Sequence, residues 1–450
     1  MLFIGLLLRM SLTLLAWLSI FGILVCLSLF VSPVWGVVLY IMTYLIFPEL
    51  WWWGKHISGI RWSFLSGSVL LVSVVFHYMK TKKINHSNKN NNVSIKYNLY
   101  KLNIVSFLIT LLVLNYSFVH YVIAEGSSIS YEKFHLNIKF LVLFLLIKYS
   151  IQNTKDYYYV FMAVAILLGY LGFQVTENGV GDMVHGRLEN VPIPGAGSAN
   201  FLVSIIIVFL PGIGTLFFLT HNKYIKILIL LLTPYIVNLI FLCNSRGAYL
   251  GLIGAGLFVL LSSRKKEKKI VFLACGCVLV LIMLLANNED IYKRFDSIFV
   301  TQNNLDSSAA TRLILWKSAI DMLKDRPFGS GGHGFKKVYG IHYSSERGLN
   351  KFKAVHNSYL SIATSWGIQG LFLYLALIFC ILKKVYKVSV RQLNDKNNYK
   401  DSLMGKAMVA GFIGFMISST FSNTLDEEWA LWMLAIMCSF VQIIRNDCAF

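Results

Sequence analysis

Apolar runs of about twenty residues recur along the whole chain, and short polar or basic segments separate them. A helix of about 20 apolar residues spans the hydrocarbon core of a bilayer. Only helices and closed barrels satisfy every backbone hydrogen bond in lipid, and the alternation of about ten residues that marks a barrel strand is absent. The pattern therefore predicts an all-α, polytopic helical membrane protein with about 12–13 transmembrane helices.

The predicted spans divide the chain into three parts. Residues 1–286 are expected to form transmembrane helices with short loops, 287–355 one large loop with helical structure, and 356–450 the C-terminal transmembrane helices. The first apolar run leads directly into the second, which predicts retained helices rather than a cleaved signal peptide, either as one hairpin or as one long helix. The expected spans are 10–31, 33–48, 62–79, 102–123, 137–150, 157–174, 200–220, 224–243, 247–262, 269–286, 356–382, 405–422 and 429–444.

The net charge of +20 would suit a nucleic-acid-binding protein, but the lysines lie mainly in short loops between apolar runs. Loop 80–101 holds six lysines and no acid, 264–269 five basic residues and one acid, and 383–406 seven basic residues and two acids. The positive-inside rule makes all three loops cytoplasmic, and an even number of spans separates each pair. No nucleic-acid partner is expected. The segments predicted on the outer side are 49–61, 124–136, 175–199, 244–247, 287–355 and 423–428.

The outer loop 287–355 is too long for a passive connector. Within it, "SSAATRLILWKSAIDMLKDRP" predicts an amphipathic helix that is capped by Thr311 or Ser308 and ended by Pro327. Its expected apolar stripe has the helical spacing of Leu313, Trp316, Ile320 and Leu323. "FGSGGHGF" then predicts a tight turn.

Two arginines on the predicted outer side are candidates for anion binding. Arg246 lies in a link of three or four residues, where it either snorkels to lipid headgroups or binds a ligand, and Gly247 and Ala248 would allow a close approach. Arg312 is expected near a helix start, where the helix dipole disfavours a cation unless an anion is bound. Two guanidinium groups on one side could clamp a phosphate in a bidentate manner.

His356 and Asn357 begin the apolar stretch "HNSYLSIATSWGIQG". Free backbone N–H groups at this helix start could bind an anion, which makes Asn357 a candidate diphosphate contact. A lone histidine is most often structural. However, His356 is predicted on the same side as Arg246 and Arg312, at a boundary where its pKa can be tuned, and its ring can accept a proton near neutrality.

Other motifs offer weaker sites. "GSGGHGFKK" departs from a phosphate-binding loop, because no lysine directly follows its last glycine. His185, His333 and His342 have no metal-ligand spacing, and the seven cysteines show neither metal nor disulfide spacing, so no metal or cofactor is predicted. Asp426, Glu427 and Glu428 are expected to form a solvated cap, although one of them could orient a catalytic group.

Three segments together resemble the O-antigen ligase and polymerase superfamily. They are "NSRGA" at 244–248, "TRLILWKSAIDMLKDRPFGSGGHGF" at 311–335, and "HNSYLSIATSWGIQG" with Gly367 and Gly370. The resemblance is sharp over roughly residues 200–385, and "SPVWGVVLYIMTYLIFPELWWW" is similar to the exosortase-associated O-glycosylation ligase branch. The family's Asp-Asn-Asn-like segment is represented only by "GSAN" at 197–200, so no role carries over to Asn200.

The resemblance implies a multi-pass enzyme of the bacterial inner membrane with its active site on the periplasmic side. It would transfer a glycan from undecaprenyl diphosphate to a hydroxyl of lipid A-core, a glycan or a protein, without a metal and with inversion. Arg246 and Arg312 would contact the diphosphate, and His356 would lie beside the acceptor. The alternatives are a repeat-unit polymerase of the same superfamily, which differs only in its acceptor, and a transporter of the lipid-linked glycan. A transporter would use ionisable groups at the midplane of repeated halves, and the sequence shows neither.

Overall fold

The structure, a computed structural model, describes residues 11–87, 104–195, 197–263, 307–392 and 399–447. Within these ranges the chain forms fourteen α-helices and one short β-hairpin, which confirms the predicted all-α membrane class. The elements are α1 (Leu12–Phe30), α2 (Val34–Leu45), α3 (Trp62–Ser87), α4 (Ile104–Phe118), α5 (Ser128–Ser150), α6 (Thr154–Asn178), β1 (Asp182–Val184), β2 (Arg187–Glu189), α7 (Ala199–Leu219), α8 (Lys223–Cys243), α9 (Arg246–Ser262), α10 (Ser307–Asp325), α11 (Gly340–Ser345), α12 (Ser358–Gln392), α13 (Tyr399–Ser418) and α14 (Glu428–Asp447).

Eight segments of the described chain are long and apolar enough to cross a membrane, and three shorter apolar helices accompany them. Every predicted span that falls in the described ranges corresponds to a helix, and the span 269–286 lies outside them, as do the basic link 264–269 and most of loop 80–101. The first two apolar runs form two helices, because the chain breaks between Phe30 and Val34. Helix α5 covers the predicted span 137–150 but begins earlier, at Ser128.

Helix α13 lies at the centre of the bundle, between α7, α9 and α12. Small residues let α9 and α13 approach closely, since a Cβ added to Gly251 would lie 2.4 Å from the carbonyl oxygen of Gly414. Such contacts between small residues are a common way to pack helices in a membrane, where lipid supplies no hydrophobic drive for their association. The approach of the two backbones brings Arg246, at the start of α9, beside the C-terminal end of α13.

Helix α10 forms as predicted and ends at Asp325, before Pro327. Its described part begins at Ser307, four residues before Thr311, so the expected cap at Thr311 is wrong. The predicted apolar stripe faces the core only in part, because Trp316 packs against the small core whereas Leu313 and Ile320 are 39% and 46% exposed. A parallel stripe with equally good helical spacing is buried instead, against the chain that leads into α12. The residues of this small core are Leu315, Ala319, Met322, Phe335 and Val355.

Helix α12 is broken at Gly367, whose φ of 82° and ψ of 165° are not helical. The segment "PFGSGG" docks onto this break and satisfies the backbone groups that the break exposes. The N–H groups of Ser330 and Gly331 donate to the carbonyls of Thr364 and Ser365 at 3.0 Å each, and the N–H of Ile368 donates to a carbonyl of the segment at 2.9 Å. The glycine-rich run is therefore a docking turn, which explains why it departs from a phosphate-binding pattern.

Gly329 should tolerate no side chain at this docking site. Its φ of 93° disfavours any other residue, and a Cβ would lie 2.5 Å from the amide nitrogen of Gly367. Gly329→Ala should lower the free energy of unfolding by about 1–3 kcal/mol, measured as a lower unfolding midpoint in detergent. The matched control is Gly214→Ala within α7, where a Cβ meets nothing within 4 Å. That change should leave the midpoint unchanged or raise it, and an equal loss in both variants would contradict the docking role.

Candidate active site

A small cavity of about 40 Å³, partly open to solvent, lies where the hairpin and the ends of α7, α8, α9, α10 and α13 meet. Arg246 and Arg312 both line it, although 65 residues separate them in the chain. Arg187 is the third arginine of the lining, and none of the described residues that line the cavity is acidic. The cavity therefore presents three permanent positive charges and suits an anion. Its described lining is Arg187, Asn200, Asn244, Ser245, Arg246, Gly247, Ala309, Arg312, Ser418, Phe421 and Ser422.

The link between α8 and α9 forms one wall of the cavity. Asn244 ends α8 in the left-handed region with φ 43°, a conformation that asparagine tolerates better than most residues. Its side-chain amide donates to the carbonyl of Gly186 at 3.2 Å, whereas its side-chain oxygen is buried and has no hydrogen-bond partner among the described residues. A buried acceptor of this kind is costly to leave without a donor.

Helix α9 begins at Arg246 without a side-chain cap. Ser245 occupies the capping position but its hydroxyl donates to the side-chain oxygen of Asn200, at 2.9 Å, instead of accepting from the first turn of α9. The first backbone N–H groups of a helix carry a partial positive charge and need partners. Since Ser245, Arg246 and Gly247 all line the cavity, this helix start adds to the attraction for an anion.

Arg187 is the site residue that the sequence did not reveal. It is held by two hydrogen bonds, from Nε to the carbonyl of Cys243 at 3.2 Å and from Nη2 to the side-chain oxygen of Asn200 at 2.7 Å. The β-hairpin positions it, because His185 and Gly186 have φ of 49° and 68° and form a two-residue turn between paired strands. Both positive φ values match a type I′ turn. The sequence feature that could have indicated Arg187 is the turn "VHGR", which is distant in the sequence from Arg246 and Arg312.

Asn200 connects the walls of the cavity. Its side-chain oxygen accepts from both Arg187 and Ser245, so it joins the hairpin to the link between α8 and α9. The residue to which the resemblance gave no role therefore has a clear structural one. It fixes the direction of one guanidinium group and keeps the hydroxyl of Ser245 away from the start of α9.

His356 is not among the described residues that line this cavity. It lies at the start of α12, two residues before Ser358, whose hydroxyl donates to the carbonyl of the cavity residue Ser422 at 2.7 Å, and it has a φ of 55°. A non-glycine residue in the left-handed region is uncommon and often marks a functional site. Its pKa is lowered to about 4, first by burial and then by nearby cationic groups, of which Arg312 contributes most and Arg187 also contributes. The imidazole is therefore neutral at pH 7 and lies within electrostatic reach of two cavity arginines.

Asn357 caps α12. Its side-chain oxygen accepts from the N–H groups of Tyr359 and Leu360 at 3.0 and 3.1 Å, and its own N–H donates to the side chain of Asn423. The prediction of free N–H groups at this helix start is therefore wrong for Tyr359 and Leu360. A contact between Asn357 and a diphosphate stays a prediction. The hydrogen bonds in the structure give this residue a positioning role, because they fix the backbone immediately after His356.

The acidic link 423–428 is not the solvated cap that the sequence suggested. Asp426 and Glu427 lie 3.2 and 3.3 Å from the ammonium of Lys133 on α5, and Glu428 is buried and accepts a hydrogen bond from Tyr40. Burial raises the pKa of Glu427, and Lys133 opposes this change. These pairs attach α2 and α5 to the link between α13 and α14. The link also holds the residues that follow His356, because Asn423 accepts from the N–H of Asn357 and the N–H groups of Thr424 and Leu425 donate to the hydroxyl of Ser358.

No group of three or more histidine, cysteine, aspartate or glutamate side chains lies close enough to hold a metal ion among the described residues. His185, His333 and His342 belong to no such group. His342 is exposed, which makes it a useful control for His356.

Comparisons with known proteins confirm the resemblance that the motifs carry. Residues 228–375 match the family described as O-antigen ligase, and this stretch contains Arg246, Arg312 and His356. The chain is 25% identical over 237 residues to the teichuronic acid biosynthesis protein TuaE of Bacillus subtilis, covering 50% of this chain and 47% of that one. It is 25% identical over 169 residues to an uncharacterized protein of Haemophilus influenzae, covering 35% and 41%. It is 28% identical over 140 residues to a Rickettsia felis protein named "Putative polysaccharide ligase", covering 29% and 32%. The chain thus spans about half the length, or less, of the curated relatives it matches.

Proposed function

We propose that this multi-pass membrane protein, which matches the O-antigen ligase family over residues 228–375, is a glycosyltransferase of polysaccharide biosynthesis. It would move a glycan from undecaprenyl diphosphate to an acceptor hydroxyl on the periplasmic side of the bacterial inner membrane. The observation that carries the proposal is the single cavity lined by Arg187, Arg246 and Arg312, with His356 within electrostatic reach of two of them.

The cavity would hold the diphosphate of the donor. Arg246 and Arg312 would each contact phosphate oxygens, and the uncapped start of α9 would add backbone N–H donors. Helices α7 and α9 begin at the cavity and continue away from it as apolar helices, so the polyprenyl chain could follow them into the bilayer.

The arginines would stabilise the leaving group. The bond between the anomeric carbon and the phosphate oxygen breaks, and negative charge grows on the departing undecaprenyl diphosphate. A diphosphate needs little protonation to leave, but it needs this charge to be neutralised. One preorganised contact of this type contributes roughly 3 kcal/mol in a water-poor site. The acceptor oxygen attacks the opposite face of the anomeric carbon, which inverts its configuration.

His356 would accept the proton of the attacking hydroxyl. With a pKa of about 4 the free protein holds a neutral ring, which is the form that a base requires, but the ring is then only weakly basic. A bound diphosphate would offset the positive charges of Arg312 and Arg187, which contribute to this low value. Donor binding should therefore raise the pKa of His356 and make the ring a stronger base when substrate is present.

The acceptor decides between a ligase and a polymerase, because both reactions use the same donor and the same bond changes. We favour the ligase reaction because the matched family is described as O-antigen ligase. The experiment is transfer by the purified protein from a synthetic undecaprenyl-diphosphate glycan to lipid A-core, a lipid-linked glycan or a peptide, with chelator present. Transfer to lipid A-core or peptide supports a ligase, and transfer only to lipid-linked glycan supports a polymerase. Movement of the donor across vesicles without any new glycosidic bond would support a transporter instead.

The pH dependence of the transfer rate should report the protonation of His356. Protonation of the ring at low pH removes the base, so the rate should fall as pH decreases through its pKa. For kcat/KM, which reports the free protein, we expect the acid limb near pH 4; for kcat, which reports the donor complex, we expect it at higher pH. Initial rates at limiting and saturating donor would measure both. An acid limb of kcat/KM at or above the ordinary histidine pKa of about 6.5 would contradict the low value.

Replacing Arg187 should weaken the reaction even though the family match begins after it. Arg187→Ala removes one cavity charge and the hydrogen bond to Asn200, and we expect kcat/KM to fall about 10- to 100-fold. Asn200→Ala should cause a smaller loss, because it frees the guanidinium without removing its charge. Arg61→Ala is the matched control, since Arg61 is exposed outside the cavity. Equal activity of the Arg187 and Arg61 variants would remove Arg187 from the site.

A further inference from the structure

A second cavity, of about 90 Å³ and also partly open to solvent, lies between α4, α5, α12 and α14. Two lysines line it, Lys148 near the end of α5 and Lys384 in the last part of α12. Apolar side chains form most of the remaining wall, among them Val105, Ile381 and Val441. Two ammonium groups above an apolar surface form an amphipathic site that the proposed reaction does not use.

Lys148 is the unusual member of this cavity. Its residue is only 5% exposed, yet its side chain takes part in no ion pair or hydrogen bond among the described residues. The contact that its ammonium makes is with the ring of Tyr149, 5.1 Å from the ring centroid. The dipole at the end of α5 favours a cation there, but it does not replace a counter-ion.

Lys384 adds a second positive charge to this cavity. It lines the same cavity as Lys148, and it too lacks an ion pair among the described residues. The described lining contains no carboxylate. Gln442 on α14 is exposed beside the lysines and adds a side-chain amide that can donate a hydrogen bond. Two like charges around one cavity repel each other unless a bound anion lies between them.

The cavity lies at the end of the bundle opposite the arginine cavity. Along α12, Lys384 is about 26 Å beyond the break at Gly367, at about 1.5 Å per residue. Along α5, Lys148 is about 22 Å from Lys133, which pairs with the acidic link at the arginine end. The lysines are thus far along the bundle from the arginine end, and Lys384 belongs to the basic segment 383–406. The positive-inside rule assigns this end to the cytoplasmic leaflet.

We propose that this cavity binds the headgroup of an anionic phospholipid of the cytoplasmic leaflet. Lys148 and Lys384 would contact the phosphate, Gln442 would donate to a headgroup oxygen, and Val105, Ile381 and Val441 would contact the start of an acyl chain. Basic cavities between transmembrane helices on this side of a membrane are suited to anionic headgroups. The apolar wall distinguishes a lipid from free phosphate, which gains nothing from it. The proposal is independent of the transfer reaction, because it concerns other residues at the other end of the bundle.

The test is lipid binding by the delipidated, full-length protein, measured by native mass spectrometry. Phosphatidylglycerol should bind the wild type more tightly than phosphatidylethanolamine. The variants are Lys148→Gln and Lys384→Gln, which remove the charge and shorten the side chain by only one atom. Each should weaken phosphatidylglycerol binding about fivefold, and the double variant more than either. Lys139→Gln on α5 is the matched control, because Lys139 is exposed, and it should leave binding unchanged.

Inorganic phosphate at equal ionic strength separates the two sources of the anion. Failure of phosphate to displace phosphatidylglycerol supports the lipid site. Full displacement by phosphate, or equal binding of both lipids, overturns it, as does unchanged binding in the double variant. If Lys148→Gln does not fold, the less buried Lys384→Gln carries the test. The thermal shift caused by phosphatidylglycerol then provides a second measurement, which should be smaller in Lys384→Gln than in the wild type.

Discussion

Replacement of His356 should lower the rate of glycan transfer about 10²- to 10⁴-fold, because a positioned base contributes this much when a hydroxyl must lose a proton during attack. The substitution of choice is His356→Asn. The backbone at this position has a φ of 55°, which asparagine tolerates far better than alanine. The backbone after residue 356 is also held by the cap that Asn357 provides. The variant should therefore keep its fold and donor affinity and lose mainly kcat.

The matched control is His342→Asn, which removes an exposed histidine from the same loop region. It should retain wild-type transfer. Both variants should be present at normal levels in the membrane and should have similar unfolding midpoints. A rate for His356→Asn within twofold of the wild type, with donor in excess, would eliminate the histidine as the base. It would leave this residue a structural role at the start of α12.

Removal of Arg246 or Arg312 should have an effect of similar size for a different reason. Each guanidinium is expected to neutralise charge that grows on the departing diphosphate, so Arg246→Ala and Arg312→Ala should each lower kcat about 10²- to 10³-fold. Arg246→Lys should recover little of this loss, because a single ammonium does not reproduce a bidentate contact with phosphate oxygens. The double variant should lose less than the product of the two single losses, since both residues act on one group.

Arg61→Ala serves as the control for these arginine variants, as it does for Arg187. A change confined to KM would mean that the arginines bind the donor equally in its ground state and its transition state. Unchanged kcat and KM in Arg312→Ala would contradict the proposed site altogether. The readout in each case is the rate at which undecaprenyl diphosphate is released, with the glycan product measured in parallel.

Much of the fold was predictable because membrane insertion imposes a simple rule on sequence. The apolar runs that became α6 and α7 are uninterrupted by charge, and their helices follow within a few residues. Which face of α10, in the large loop, is buried was harder to predict. In α10 two apolar stripes have equally good helical spacing, and only the docking of the chain before α12 decided which one is buried.

The site was predictable where a motif carried it and not where tertiary contacts did. Arg246 and Arg312 stand in recognisable segments, and the structure brings them to one cavity. Arg187 reaches the same cavity only because a hairpin and Asn200 direct it there, and the local "VHGR" turn does not indicate which cavity the arginine enters. The prediction of a solvated cap at the acidic link was wrong for the same reason, because Lys133, which pairs with it, lies nearly 300 residues away in the chain.

The most direct test of the account is an electron cryomicroscopy map of the full-length protein bound to an unreactive analogue of an undecaprenyl-diphosphate sugar. The account predicts both phosphates within about 4 Å of the guanidinium groups of Arg246 and Arg312. The anomeric carbon should then face His356, with Arg187 completing the cavity wall. A diphosphate bound elsewhere, or beside Lys148 and Lys384 at the other end of the bundle, would contradict it.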